Sequence, residues 1–408
     1  MLRIDPDRLR ADFEALAAIG ATSEGGVSRP AFSDAHRAAR AWFLERAAAG
    51  GLETSVDSAG NHSASLPSKT PGARSLLLGS HLDSVPDGGR YDGSLGVLAA
   101  LEVVRTIAGA RLELPVALEA IDFTDEEGTV VGLLGSRALV GTLTNEDLAA
   151  PRGGRAALLA GLAAAELTES GLIAARRRPD SLAGYLELHI EQGPVLERDA
   201  VDIGIVTGIV GSRSFRVVFV GEARHAGTTP METRRDAGVG AAKLLLAARE
   251  LVTSEFPGCV ATVGDLRLEP GAFNVVPGRA RLTLECRSLD PVTLDRLAGA
   301  LLERARLEAD GSGLSVEIEP VGRWDAVGLD TGVRAAIGRA ASALAVSTVE
   351  LTSGAGHDAQ VLAAITPSGM IFVPSVGGIS HHPDEETLWQ DCVNGANVLL
   401  GAALELAG

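Results

Sequence analysis

Apolar positions along this 408-residue chain recur with two periods, and the places where one gives way to the other mark out the fold. Leu9, Phe13 and Leu16 or Ala17 share one face of a helix predicted over residues 7–19, with Asp7 as its cap. A second helix, over 30–49, carries Trp42, Phe43 and Leu44 and stops before Gly50 and Gly51. Short apolar runs predict strands at 52–56, 63–66, 75–78, 116–123 and 182–188. A helix over 93–105, and an Ala- and Arg-rich region at 142–178 with room for two or three helices, separate the later ones.

The pattern changes after Val206. Phe215, Val217 and Phe219 alternate with polar neighbours over 214–220, as a half-buried strand requires. A helix over 236–252, strands at 259–268 and 279–286, a helix over 291–307 and a strand at 314–319 follow. The order β-α-β-β-α-β is that of a split βαβ sandwich. The earlier α/β pattern then resumes, with a helix at 333–344, strands at 348–352 and 370–373 and a terminal helix from 386. The simplest organisation is an α/β domain with a central mixed sheet flanked by helices, over 1–207 and 325–408. It is interrupted by a ferredoxin-like α+β domain at 208–324. The length also favours two domains over one core.

Composition changes this picture little. Hydrophobic residues make up 46% and charged residues 22%, which suits a folded chain. With 14 aromatics (9 Phe, 3 Trp and 2 Tyr) the core must be aliphatic. The charge balance, 36 Lys and Arg against 53 Asp and Glu, gives −17 and argues against nucleic acid or an anionic membrane as partner. Cys259, Cys286 and Cys392 are far apart, without CxxC spacing, and read as reduced, mostly buried thiols. The N-terminus has no apolar signal core, and no apolar run approaches the roughly 18 residues of a membrane span. These features predict a soluble, cytoplasmic protein.

Chemistry concentrates in GSHLDSVPDGGRYDG (79–93) and DFTDEEG (122–128). Taken singly, a His after a strand is an ordinary loop residue, an Asp beside Gly a turn former, and paired Glu residues a solvated face. Together, His81, Asp92, Glu127, His189 and His381 each follow a predicted strand or a Gly-rich turn, where open α/β sheets build sites. A centre of two metals some 3.5–4 Å apart needs a bridging carboxylate with terminal His and carboxylate ligands. Imidazole with carboxylate suits Zn, Mn, Co or Ni rather than Ca or Mg. Asp83 is placed to take the second N–H of the His81 imidazole. In the Glu126-Glu127 pair, neighbouring side chains can diverge, one to a metal and one to the water it activates. His381 and His382 form a doublet that leaves two candidates for one ligand, whereas His36 and His62 read as ordinary surface or loop residues.

GSHLDSV, Asp92-Gly93, DEEG, HIEQGPVLE (189–197), GEARHAGTTPM (221–231), FNVVPG (273–278), SGAGHDA (353–359) and GISHHPDEE (378–386) occur in one order. In this the chain resembles the hydantoinase/carbamoylase amidase family, which includes N-carbamoyl-L-amino acid and allantoate amidohydrolases. The resemblance places it in the clan of dinuclear zinc aminoacylases and carboxypeptidases. It implies a zinc-exopeptidase-like catalytic domain and an inserted dimerisation and lid domain, with hinges near 206–211 and 322–324. By motif, His81 and His189 would hold one metal, Glu127 and His381 the other, and Asp92 would bridge. Glu126 would be the general base, with Gln192, Asn274, Arg287 and His357 as substrate contacts. Arg287 suits a bidentate grip on an α-carboxylate. His225, supplied by the partner subunit in this family, would stabilise the oxyanion. The implied enzyme is a homodimer with two divalent metals per subunit that hydrolyses an N-carbamoyl-L-amino acid to amino acid, ammonia and carbon dioxide. Allantoate is the alternative substrate. A peptidase or aminoacylase of the clan fits HIEQG less well, and a non-catalytic relative would have no need of Glu126.

Overall fold

The computed structural model describes residues 2–408 and divides into two compact units. One comprises the chain up to Thr207 together with Gly328–Gly408, and the other is Gly208–Val327. Among the described residues no helix is long and apolar enough to cross a membrane.

The first unit is built on a mixed sheet. From one edge its strands run Glu53–Val56, His62–Leu66, Ala117–Phe123, Ser75–His81, Leu182–Ile190, Ser368–Val373 and Ile203–Ile209, and Thr348–Ser353 also pairs with the last of these. The four central strands are mutually parallel, and Glu53–Val56, His62–Leu66 and Ile203–Ile209 join by antiparallel pairings. The parallel strands are apolar on both faces because helices cover them. Ser94–Gly109 and Trp389–Ala407 contribute Leu95, Leu98, Leu101, Leu399 and Leu400 to the core that contains Leu76, Leu78, Leu188 and Ile371.

The first two helices start away from their expected positions, each for a visible reason. The first helix is Pro6–Ala17, and its cap is Asp5 rather than Asp7: the Asp5 carboxylate accepts from the N–H groups of Asp7 and Arg8. The second begins at Asp34, not at residue 30, because Ser33 caps it. The strands continue into the site, so His81 is the last residue of Ser75–His81 and His189 lies within Leu182–Ile190. Ile203–Ile209, where no strand was expected, extends one side of the sheet.

The second unit is a four-stranded antiparallel sheet in the order Ser315–Trp324, Gly211–Val220, Arg279–Ser288, Val260–Glu269. Phe215, Val217, Phe219, Leu282 and Leu284 face the helices Ala237–Glu255 and Pro291–Gly311, which supply Leu244, Leu294, Leu297 and Leu301. Asp236 and Asp290 cap those helices.

Candidate metal centre

The parallel strands bring their carboxyl ends together, the position at which such sheets bind ligands. Phe123 pairs with His81 and Phe372 with His189, so the two His-bearing ends are level. The helix Ser94–Gly109 starts directly after Asp92, at Gly93 with φ +61°. A Cβ on Gly93 would lie 2.5 Å from the His81 imidazole, so only glycine lets the Asp92 turn approach that ring.

Two donor groups result, and they share one residue. His81, Asp92 and His189 form the first, all buried; Asp92, Glu127 and His381 form the second. Asp92 Oδ1 lies 3.4 Å from His81 Nε2 and 3.1 Å from His189 Nε2, while its Oδ2 lies 3.4 Å from His381 Nε2. The carboxylate therefore offers one oxygen to each group. Glu127 Oε2 is 3.5 Å from His381 Nε2. Of the doublet, His381 joins the second donor group, while His382 Nδ1 accepts from the Asp384 N–H.

Each buried imidazole is oriented by its other nitrogen. Nδ1 of His81 is 3.0 Å from the Asp83 carbonyl and Nδ1 of His189 is 2.9 Å from the Ile190 carbonyl. A carbonyl only accepts, so both rings carry Nδ1–H and turn Nε2 toward Asp92. Asp83 sits beside His81 as expected, but its main chain makes the hydrogen bond. Its carboxylate, 3.8 Å from Nδ1, accepts instead from the Glu126 and Glu127 N–H groups at 3.3 and 3.2 Å. Asp125, at φ +54°, accepts from the Val130, Val131 and Gly132 N–H groups and closes the same loop.

Glu126 belongs to neither donor group. Its Oε2 is 3.7 Å from His81 Nε2, whereas Glu127 points to His381, so the neighbours diverge. Burial pushes the Glu126 carboxyl well above the usual range; His81 opposes the shift, and the Glu127 and Asp358 carboxylates add to it. Burial, with Asp92 close by, raises Glu127 to about 7. Burial alone would also raise Asp92, but His189, His381 and His81 outweigh it and hold that carboxyl well below its usual range. In return Asp92 lifts His381 to about 9. His81 and His189 are raised despite burial, by Glu126 and Asp92 respectively. These are protons that a bound dication would displace. Glu127 Oε1 is buried without a hydrogen-bond partner. Crowded carboxylates, oriented imidazoles and an orphaned oxygen all fit divalent metal.

Gln192, at φ +58°, reaches Asp92: its Nε2 donates to Oδ2 at 2.7 Å, and its Oε1 is buried without a partner. His381 also has a left-handed backbone, at φ +56°, and strain of this kind gathers at functional sites. His357 is buried behind His189, with ring centroids 4.6 Å apart and its Nε2 on the Ser353 hydroxyl. In this structure it backs a ligand candidate rather than lining an open surface.

The remaining candidates lie in the second unit. His225 is exposed, and its Nδ1 accepts from the Gly227 N–H, so Nε2 carries the proton. Asn274 is adjacent, its carbonyl accepting from the Ala226 N–H. Both follow the end of the sheet where Arg279 pairs with Val220. Arg287 pairs with Ser212 at the other end, and its Nε bonds Glu285 at 2.7 Å. Eight residues of extended strand separate the two ends by about 26 Å.

Sequence reasoning assigned no role to Ser380 or Glu385. The Ser380 hydroxyl is 3.1 Å from Asp92 Oδ2, and Glu385 Oε1 accepts from the Tyr91 and Asp92 N–H groups. Both lie within GISHHPDEE, the motif around His381, but nothing in its spacing names their distant partners.

Comparison with known proteins agrees with this geometry. The profile of peptidase family M20/M25/M40 matches residues 77–405. The N-carbamoyl-L-amino acid amidohydrolase of Geobacillus stearothermophilus is 37% identical over 406 residues, 99% of either chain. The allantoate deiminase of Arabidopsis thaliana is 36% identical over 373 residues, 84% of this chain and 71% of that one. A solved amidase of the hydantoinase/carbamoylase family from Burkholderia multivorans superposes with a TM-score of 0.90 at 34% identity. That match covers 100% of this chain and 98% of the other.

Proposed function

Because the chain belongs to peptidase family M20/M25/M40, on its hydantoinase/carbamoylase amidase branch, we propose that it hydrolyses the ureido bond of an N-carbamoyl-L-amino acid with two divalent metals. It is an amidohydrolase acting on C–N bonds other than peptide bonds. The observation that carries the dinuclear reading is Asp92, whose two oxygens face two different donor groups while Glu126 stands in neither.

His81, His189 and Asp92 would hold one ion, and Asp92, Glu127 and His381 the other, with Zn, Mn, Co or Ni suited to these donors. When bound, the ions supply Lewis acidity to the carbonyl and to the attacking water. Glu126 takes a proton from that water as its oxygen bonds to the ureido carbon. It returns the proton to the α-nitrogen as the C–N bond breaks, leaving the amino acid and carbamic acid, which falls to carbon dioxide and ammonia. The unpartnered Gln192 Oε1 suits a ureido N–H, and the guanidinium of Arg287 suits the α-carboxylate. His225 Nε2–H is a preorganised donor for the oxyanion.

The opposite placement of Arg287 and His225 supports a homodimer in which one substrate meets Arg287 of its own chain and His225 and Asn274 of the partner subunit. The strand Val260–Glu269 is an unpaired edge that exposes Val260, Leu266 and Leu268, and the helix Ala237–Glu255 exposes Leu245 and Leu246. In this reading the inserted unit closes on the substrate as well as dimerising. Mixing equal amounts of the H225A and E126Q proteins and letting subunits exchange is expected to restore about a quarter of wild-type activity. Half of the dimers are then mixed, and each has one complete site. Activity no higher than that of the separate variants would show that His225 acts within its own chain.

The three thiols are free and buried, which supports a reducing, cytoplasmic location. Allantoate is the second substrate reading, favoured by the allantoate deiminase relative. Steady-state turnover of N-carbamoyl-L-amino acids, allantoate and dipeptides by the metal-reconstituted enzyme tests both. Ureido acids are expected to be turned over fastest, and faster cleavage of any dipeptide would overturn the amidase reading.

A further inference from the structure

The Asp92 turn and the His381 loop are almost three hundred residues apart in sequence, and a carboxylate outside both donor groups joins them. Glu385 is 2% exposed. Its Oε1 accepts from the N–H groups of Tyr91 and Asp92 at 2.9 and 3.0 Å, and its Oε2 lies 3.0 Å from the Ser380 hydroxyl. That hydroxyl is also 3.1 Å from Asp92 Oδ2. The fold keeps space for this contact, since a Cβ on Gly89 would lie 2.0 Å from the Glu385 carboxyl carbon. His381 needs such an anchor. Its side chain is half-exposed, its backbone is left-handed, and it projects from a loop rather than a strand.

We propose that Glu385, together with Ser380, is a positioning latch that fixes the His381 loop to the Asp92 turn, so that both donor groups assemble on a single carboxylate. The proposal rests on the dinuclear reading above and adds residues to it. Burying a carboxylate next to Asp92 is costly unless its oxygens are fully hydrogen-bonded, and the latch satisfies both of them across two separate loops. A group that merely stapled the fold would stabilise the stripped and loaded protein alike. A latch acts on metal retention.

The test uses the full-length wild type, E385A, E385Q and S380A. Each is titrated with zinc against a competing chelator, and the chelator-stripped proteins are melted in parallel. Zinc affinity in E385A and S380A is expected to fall by about 10- to 100-fold, the range for groups that orient ligands, with the stripped proteins melting within a few degrees of wild type. E385Q keeps an oxygen for the two N–H groups and is expected to recover much of the loss. Wild-type zinc affinity in E385A and S380A overturns the latch. So does a melting loss in stripped E385A as large as that in the zinc-loaded protein. If E385A does not fold, S380A decides alone. Uptake of a single zinc by the wild type would instead overturn the dinuclear reading, and the latch with it.

Discussion

Replacing Glu126 with Gln is expected to leave the metal content at its wild-type level and to lower kcat by about 10²- to 10⁴-fold, the usual contribution of a positioned proton acceptor. The geometry separates the two effects. Glu126 stands outside both donor groups, so no ligand is lost. Its N–H is held by the Asp83 carboxylate, a main-chain contact that Gln preserves. Gln also matches Glu in size, so the buried site need not repack. What disappears is the ability to accept a proton. Metal analysis with steady-state kinetics checks both halves, and a near-wild-type rate would show that another group serves as the base.

Asp92→Ala is expected to act in the opposite way, taking metal content below one equivalent per chain and activity with it. Each donor group has three members, and this substitution removes one from both. The helix that follows is capped at Gly93 rather than at Asp92. Gln192 loses an acceptor, which costs stability, while relief of carboxylate crowding around Glu127 offsets it. The stripped variant should therefore melt close to the stripped wild type. Two tightly bound equivalents in D92A would refute the bridging role.

How far the site was legible before the structure depended on the range of the interactions involved. His81, Glu127 and His189 follow directly from strands that short apolar runs reveal, because a strand's end is a local property. The βαββαβ order of the inserted segment was likewise readable from two periodicities. The caps were misjudged by a few residues where competing polar groups lie side by side, as at Asp5 and Asp7. Ile203–Ile209 was missed because its glycines blur the alternation at the seam between the units. Asp83 was placed beside the right ring, yet the partner of its carboxylate was a main-chain N–H more than forty residues away. Glu385 lay beyond reach for the same reason, with its acceptor role set by N–H groups 294 and 293 residues distant. Main-chain partners leave no side-chain pattern to read.

The order of strands in the first unit has a consequence for biosynthesis. Ser368–Val373 lies between Leu182–Ile190 and Ile203–Ile209, so this strand must enter a sheet whose neighbours were made long before it. His81, Asp92 and His189 leave the ribosome early; His381 emerges only after the whole Gly208–Val327 unit. A nascent chain can thus complete its first donor group well before its second. Insertion of that late central strand, a long-range and intrinsically slow pairing, becomes the step that commits the chain to a finished site.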